Sequence, residues 1–536
     1  MGGSDVTTVD QLKGQLAEGR LSRRRFMEGA LALGVSVVAA ERMMGEALAQ
    51  PKTGGVFRQG LTGGGTSDTL DPAQILDSYM INVSSGQLRN NLTEIAPDGA
   101  LRAELAESWE ASGDAATWTF KIRQGVEFHN GKTMDTADVV ESFRHHMGEE
   151  SSSGAKGLVQ PIKDVRADGD TVVFELEAGN ADFPYLVSDY HLNICPAKDE
   201  GGIDWESGVG TGGYALVSFD PGVRTHLKRH PNYWKENAAF FDEVENLFIA
   251  DVAARTNALR SKEIDAMSNL DLKTAHLLER DTSLKVFPTY GNKHGTMPMD
   301  CRIAPFDNND IRLALKYAIN RQEIVDKIVR GYGEPGNDHS IGPANVFRAT
   351  PEELPQRAYD PDKAKFHLKQ AGMDQLDVDF HVADTAFEGA IDAVTLYAEH
   401  AKAAGININV VREADDGYWS NVWLVKPWCA SYWGGRPTED WMFSQVYAAG
   451  ADWNEAHWNH ERFNQLLQEA RSELDEAKRR ELYVEMQRIC ADEGGSVIPV
   501  FMAYTHAVST SLGLPEQIAN NWELDGHKSA ERWWFA

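Results

Sequence analysis

Four cysteines are all the chain contains, Cys195, Cys301, Cys429 and Cys490, widely separated and with no CxxC or Cys/His spacing among them. That scarcity excludes a disulfide-stapled scaffold and a cysteine-based zinc site, and the four read as small buried hydrophobes. Long apolar runs are also missing: the clearest, Gly29 to Ala40, is too short to cross a bilayer. Basic residues are few, 52 Lys and Arg against 81 Asp and Glu, for a net charge of -29. Residues 1–49 are balanced, so the acidic excess belongs to residues 50–536. Such a surface repels phosphate backbones and anionic lipid, which argues against a nucleic-acid or membrane-surface protein and favours cationic or neutral solutes. Neither a GxSxG elbow nor an HExxH motif is present. Gly210, Gly212 and Gly213 lack the Lys-Ser/Thr that a phosphate loop needs.

What is present fits a soluble globular protein. With 536 residues, 42% hydrophobic and 25% charged, the chain needs two or three domains. It opens with an address. SRRRFM at 22–27 precedes the apolar run, and Ala47-Leu48-Ala49 supplies a small-x-small cleavage pattern before Gln50. This resembles a twin-arginine export signal, with Arg23 and Arg24 as the pair and Phe26 at the expected spacing. Cleavage after Ala49 leaves a mature chain free in the periplasm, and no cysteine follows the run at a position for lipid anchoring.

Strands and helices then alternate. Trp118, Phe120 and Ile122 keep the period of two of a half-buried strand, as do Val172, Phe174 and Leu176. Asp135 opens a helix. Ile311, Ala314, Leu315 and Ala318 mark one face of another, Asn320 and Glu323 cap a third, and Gly331 stops it. Asp360-Pro361 opens a further helix closed by Gly372, and a helix from about Gly389 to Ala404 leads into a strand at Ile406, Ile408 and Val410. Helices between Arg462 and Ala491 precede a strand at Val497 to Phe501. The alternation implies an α/β lobe with a parallel or mixed sheet.

The densest chemistry lies in WCASYWGGRPTEDW, Trp428 to Trp441, within a stretch from Tyr418 to Trp458 that holds seven of the fourteen tryptophans. Gly434, Gly435 and Pro437 read as a bend carrying Arg436, Glu439 and Asp440 beside Trp433 and Trp441. Rings give desolvated walls and charges orient a ligand, so a recognition loop is one reading. An aromatic core patch capped by a salt-bridged turn is the other.

TLDPA at 69–73, LAESWE at 105–110, TWTFKIRQGVEFHNGK at 117–132, VGTGGY at 209–214 with HPNYW at 230–234, PFDNNDIRLALKYAINRQEIV at 305–325 and YDPDKAK at 359–365 succeed one another in an order that resembles family 5 extracytoplasmic solute-binding proteins, the peptide/opine/nickel group of ABC importers. The resemblance implies an α/β bilobed fold enclosing the ligand. Lobe I would comprise residues 50–288 plus 503–536, with an inserted subdomain at about 91–204, and lobe II residues 289–502. Two chain crossings, near Thr289 to Asn292 and near Tyr504, would form the hinge.

The same resemblance implies a monomeric receptor that works with membrane permease subunits, binds no nucleic acid and needs no cofactor. Its ligand would be a short peptide or peptide-like, amine-bearing solute. In peptide-binding relatives an acidic residue in the bend meets the ligand amine, and a basic residue before Gly405 meets its carboxylate. Here no Lys or Arg lies between Gln370 and Ala401; Asp384, Glu388 and Asp392 occupy that region, leaving Arg436 or Arg412 to substitute. The expected site is Trp433 and Trp441 as walls, Arg436, Glu439 and Asp440 as orienting charges, Tyr290 and Asn292 at the crossing, and Asp392. The alternatives are a secreted hydrolase of oligosaccharides or peptides, and a nickel receptor using His145-His146 or His457 and His460.

Overall fold

The computed structural model describes residues 51–536 apart from Leu76, Glu149, Glu150, Asp415 and Asp416, together with residues 8, 9, 11, 12, 22–33, 35, 36, 39, 40 and 43. Two long strands, Leu284–Pro298 and Ser496–Ser509, pair antiparallel at its centre. The nine-stranded mixed sheet built on them continues from Ser496–Ser509 through Ala266–Ser268, Val56–Leu61, Glu243–Phe248 and Arg224–Arg229 to Tyr214–Asp220. On the other side Ser431–Trp433 pairs with Leu284–Pro298. A separate antiparallel sheet holds Ala106–Ala111, Thr117–Ile122, Thr171–Leu176 and Ile162–Asp168 in that spatial order. Strands Leu376–Val382 and Ile406–Arg412 pair in parallel across the helix Ala390–Lys402.

Sequence pattern explains most of this. Trp118, Phe120 and Ile122 point inward from Thr117–Ile122 as their alternation requires, into a core with Phe143, Phe174 and Phe183. Leu376, Val378, Phe380 and Val382 are buried, while Asp377 and Asp379 face out and accept from the side-chain amides of Asn407 and Asn409 opposite them. Asp135 caps the helix Thr136–His146 in a reciprocal capping box with Asp138, and Asp360 caps Pro361–Gln370. The helix Arg321–Lys327 stops earlier than expected; Gly331, at φ +83°, turns the chain and returns its N–H to the Val325 carbonyl. Lys316, fully buried, donates to the carbonyls of Cys490, Ala491 and Gly494 and so caps the helix Glu476–Glu493.

Two features exceed what the pattern indicates. The strand at Val497 to Phe501 continues to Ser509, because its polar residues are buried with partners: Tyr504 Oη donates to the Gly434 carbonyl, Thr505 Oγ1 accepts from Leu270 N and His506 Nε2 accepts from Leu524 N. The residues Thr289 to Asn292 lie inside Leu284–Pro298, where the register slips between Tyr290, opposite Ala503, and His294, opposite Phe501. A β-bulge therefore sits at the expected crossing.

Gly212 serves close packing: a Cβ there would fall 2.1 Å from the Gln87 carbonyl oxygen. All four cysteines are unpaired thiols. The helix Arg23–Ala32 begins at Ser22, whose hydroxyl accepts from Arg25 N, and Phe26 is buried. The expected cleavage residues Ala47 to Ala49 lie outside the described residues. Among the described residues no helix is long and apolar enough to cross a membrane.

Candidate functional site

The bend at Gly434 to Pro437 links the strand Ser431–Trp433 to the helix Glu439–Val446, whose N-cap Thr438 accepts from Trp441 N. Both long strands hold it. Asn292, in the bulge, donates to the Arg436 carbonyl at 3.1 Å and accepts from Ala344 N at 2.9 Å, while Tyr504 reaches the Gly434 carbonyl at 3.2 Å. Gly435 adopts φ +85°, and a Cβ on it would lie 2.2 Å from Asn292 Cβ. Glycine is the residue that lets bend and bulge touch.

Beside the bend lies a cavity of about 560 Å³, the size of a small-ligand site. One wall comes from Asn91, Glu94, Asp189 and Tyr190, another from Arg436, Asp440, Trp441 and Gln445, and a third from Trp522, His527 and Lys528. Of the expected residues, Arg436, Asp440 and Trp441 line this cavity. Trp433 lines an adjoining hollow, Glu439 is buried with its carboxylate accepting from Phe347 N, and Asn292 supports the bend from behind. Tyr290, 40% exposed, and Asp392, exposed in the first turn of Ala390–Lys402, stand outside the lining, as does exposed Arg412. Sequence reasoning missed Asp189, Tyr190, Trp522, His527 and Lys528. They sit more than two hundred residues before the bend or near the C-terminus, and no local motif marks them; Trp453, also in the wall, carried at least the signal of its tryptophan-rich stretch.

Most charges in the cavity are already compensated. Glu94 and Glu104 share Lys235 and Lys528 at 2.6–3.1 Å, with Glu531 completing the cluster through Lys235. Although burial opposes it, these cations hold the Glu94 carboxyl well below its ordinary range. Asp440 pairs with Arg471 at 3.2 Å, yet burial still pushes its pKa up to about 6, with the nearby Asp182 adding to the rise. Glu439, fully desolvated, rises to about 7. Burial also drives His527 down to about 4, so it faces the cavity as a neutral ring.

Arg436 is the exception. Its guanidinium lies 5.2 Å over the Trp433 ring and 5.7 Å over the Trp441 ring, donates to Gln445 Oε1 at 2.6 Å and to the Gly435 carbonyl at 2.7 Å, and has no ion-pair partner among the described residues. Burial lowers its pKa, partly offset by Tyr190 and Asp189. Asp189 uses Oδ1 for both His191 N and His191 Nδ1, and among the described residues Oδ2 makes no hydrogen bond. One uncommitted cation and one uncommitted carboxylate oxygen thus line the same space.

Below the cavity the chain closes on itself. Ala181 N donates to the Arg471 carbonyl at 2.7 Å, and Asp182 pairs with Arg479 at 2.5 Å with both side chains buried. Three of the four histidines considered for metal serve elsewhere: His145 contacts Asp71, His146 bonds Ser153 Oγ in the interior, and His460 caps the helix Glu461–Ser472. Among the described residues no group of three His, Cys, Asp or Glu is placed to hold a metal ion.

Comparison with known proteins places this geometry. The family model for bacterial extracellular solute-binding proteins, family 5 Middle, matches residues 100–455. The dipeptide-binding protein of Escherichia coli (strain K12) is 25% identical over 520 residues, covering 88% of this chain and 92% of that protein. Among solved structures, the periplasmic binding protein DppA of Helicobacter pylori in complex with peptide STSA superposes with a TM-score of 0.71 at 20% identity, covering 90% of this chain and 98% of that one. NikZ of Campylobacter jejuni in complex with Ni(L-His) gives 0.72 at 17% identity, with 89% and 99% covered. The fold is the mixed α/β, bilobed fold of periplasmic binding proteins. This chain belongs to family 5 of the bacterial extracellular solute-binding proteins.

Proposed function

We propose that the protein captures a short peptide or peptide-like zwitterion in the 560 Å³ cavity and delivers it to the permease of an ABC importer. The observation that carries this reading is Arg436, a half-buried guanidinium over two indoles with no ion-pair partner among the described residues, lining the same cavity as an Asp189 oxygen that makes no hydrogen bond among them. A ligand carboxylate would meet Arg436 and a ligand amine Asp189, each charge-assisted pair offsetting the desolvation of the groups that form it. Arg436 then supplies the basic group missing between Gln370 and Ala401. The amine moves to Asp189, because Asp440 is committed to Arg471 and Glu439 lies behind the wall. The peptide ligands named for the E. coli and H. pylori proteins support the same class.

Residues 50–288 with 503–536 form one lobe in this reading, 91–204 an insertion in it, and 289–502 the other; the bulged strand pair is the hinge. Ligand binding favours the closed arrangement by its differential affinity. Binding is reversible and the protein is a monomeric receptor; hydrolysis falls behind because the matching family consists of solute receptors, and metal capture because among the described residues no group of three His, Cys, Asp or Glu is placed to hold a metal ion. Export through the twin-arginine route puts it in the periplasm, and changing Arg23 and Arg24 to Lys retains it in the cytoplasm.

The test is a titration of protein stripped by unfolding and refolding with di- and tripeptides, free and blocked at either terminus, read by melting temperature and tryptophan fluorescence. Free peptides raise the melting temperature and blocked ones do so less. Silence across the panel, or cleaved peptide in the mass spectrum, overturns the reading.

A further inference from the structure

Next to the cavity the tryptophan-rich stretch builds a second concave site. Tyr432, Trp419, Trp423, Trp453 and Trp433 form an unbroken arc, with successive ring centroids 5.8, 6.0, 6.3 and 5.7 Å apart and successive planes inclined by 64°, 80°, 57° and 54°. Together with Ser431 these rings enclose about 200 Å³, and Trp453 is shared with the larger cavity. Core packing alone does not account for the arc, because Trp419 is 39%, Trp453 42% and Tyr432 43% exposed.

Three observations say what would fill it. Ring faces are the negative end of the aromatic quadrupole, and the lining contains no Lys or Arg. Trp423 Nε1 donates at 2.6 Å to Oε1 of Glu455, a residue only 5% exposed, and an anion bonded to the indole N–H enriches that ring in electrons. The same carboxylate also meets Ser431, Thr296 and the Trp433 indole, which sets this buried acid against two rings of the arc. Burial raises the pKa of Glu455, and a cation held above the rings would draw it back down. Arg436 already stands over Trp433, which shows one ring of the arc holding a cation on a face.

From these features we infer that the arc is a binding site for an alkylated ammonium group, separate from the carboxylate-reading Arg436. The site takes a soft organic cation that gives up its water readily, and the steeply inclined rings meet it from several sides at once. A primary ammonium, strongly hydrated and in need of hydrogen-bond acceptors, finds only Ser431 and the Tyr432 hydroxyl in the lining.

Choline alone, with no peptide present, is the probe, beside its uncharged carbon isostere dimethylbutanol and the disaccharide cellobiose, each titrated calorimetrically into the stripped full-length mature protein. Choline saturates, the isostere binds at least about tenfold more weakly, and Trp419→Ala or Tyr432→Ala on the exposed rim weakens choline by about tenfold or more with an unchanged melting temperature. Glu455→Gln keeps an acceptor for Trp423 and removes the charge; it weakens choline while the isostere is unaffected. No saturation by choline, equal binding of the isostere, or saturation by cellobiose that Trp419→Ala abolishes would each overturn the assignment. Choline saturation with silence from peptides would sink the cleft reading and leave this one standing; the reverse pattern would do the opposite.

Discussion

Replacing Arg436 with methionine separates recognition from folding. In the proposed complex its guanidinium meets a ligand carboxylate away from water, and truncating one partner of such a pair costs about 2–5 kcal/mol. Affinity for a free-carboxylate peptide therefore falls roughly 30- to 4,000-fold. The ligand-free protein behaves differently. Its guanidinium is half-buried without a counter-ion among the described residues, so methionine removes a desolvation cost that the ligand-free protein bears. Against that stand the bonds to Gln445 and the Gly435 carbonyl, about 1 kcal/mol each. The melting temperature without ligand accordingly stays level or rises. Arg436→Lys keeps the charge, loses the planar fork, and gives an intermediate affinity. The assay is calorimetric titration with one peptide as free acid and as C-terminal amide, beside thermal melts of each variant. Equal loss for acid and amide, or a large drop in the ligand-free melting temperature, would refute the reasoning and make Arg436 a structural residue.

Other perturbations read other parts of the molecule. Arg479→Met leaves Asp182 buried without its cation, which costs about 3–5 kcal/mol where the segments meet; scattering should show a larger radius of gyration and titration a weaker peptide affinity, both partly restored by adding Asp182→Asn. Lys316→Met strips three helix-end carbonyls of their donor and should lower the urea midpoint by an amount corresponding to about 2–4 kcal/mol, with peptide affinity retained. Glu439, raised by burial from 4.5 to about 7, binds a proton in the folded state that the unfolded chain releases near 4.5. Its contribution is therefore greatest at the acid end of that window and is lost as pH climbs through about 7, a span of roughly 3 kcal/mol. Glu439→Gln keeps the acceptor for Phe347 N and should flatten the decline in melting temperature between pH 5 and 8.

Residues that satisfy local rules were legible in the sequence. Trp118, Phe120 and Ile122 announced a strand, Asp135 and Asp360 announced helix starts, and the glycines and proline around Arg436 announced a bend. Long-range consequences were not legible. Thr505 and His506 look too polar for a buried strand until Leu270 N and Leu524 N are found bonding to them. Asp189 and Trp522 carry no motif, and only the fold brings them to Arg436. Asp392 and Tyr290 shared the right neighbourhood in sequence, yet a helix turn and a bulge leave them outside the cavity lining. Charge availability was the least visible property: Glu94, Glu104 and Asp440 resemble open carboxylates until their partners Lys235, Lys528 and Arg471 are located.

The most direct measurement is a crystal structure of the protein grown with the peptide that raises its melting temperature most. The account predicts density inside the cavity, with the peptide carboxylate within hydrogen-bond reach of Arg436 and its amine facing Asp189. A peptide bound elsewhere, or one lying in the cavity with its carboxylate away from Arg436, would contradict it.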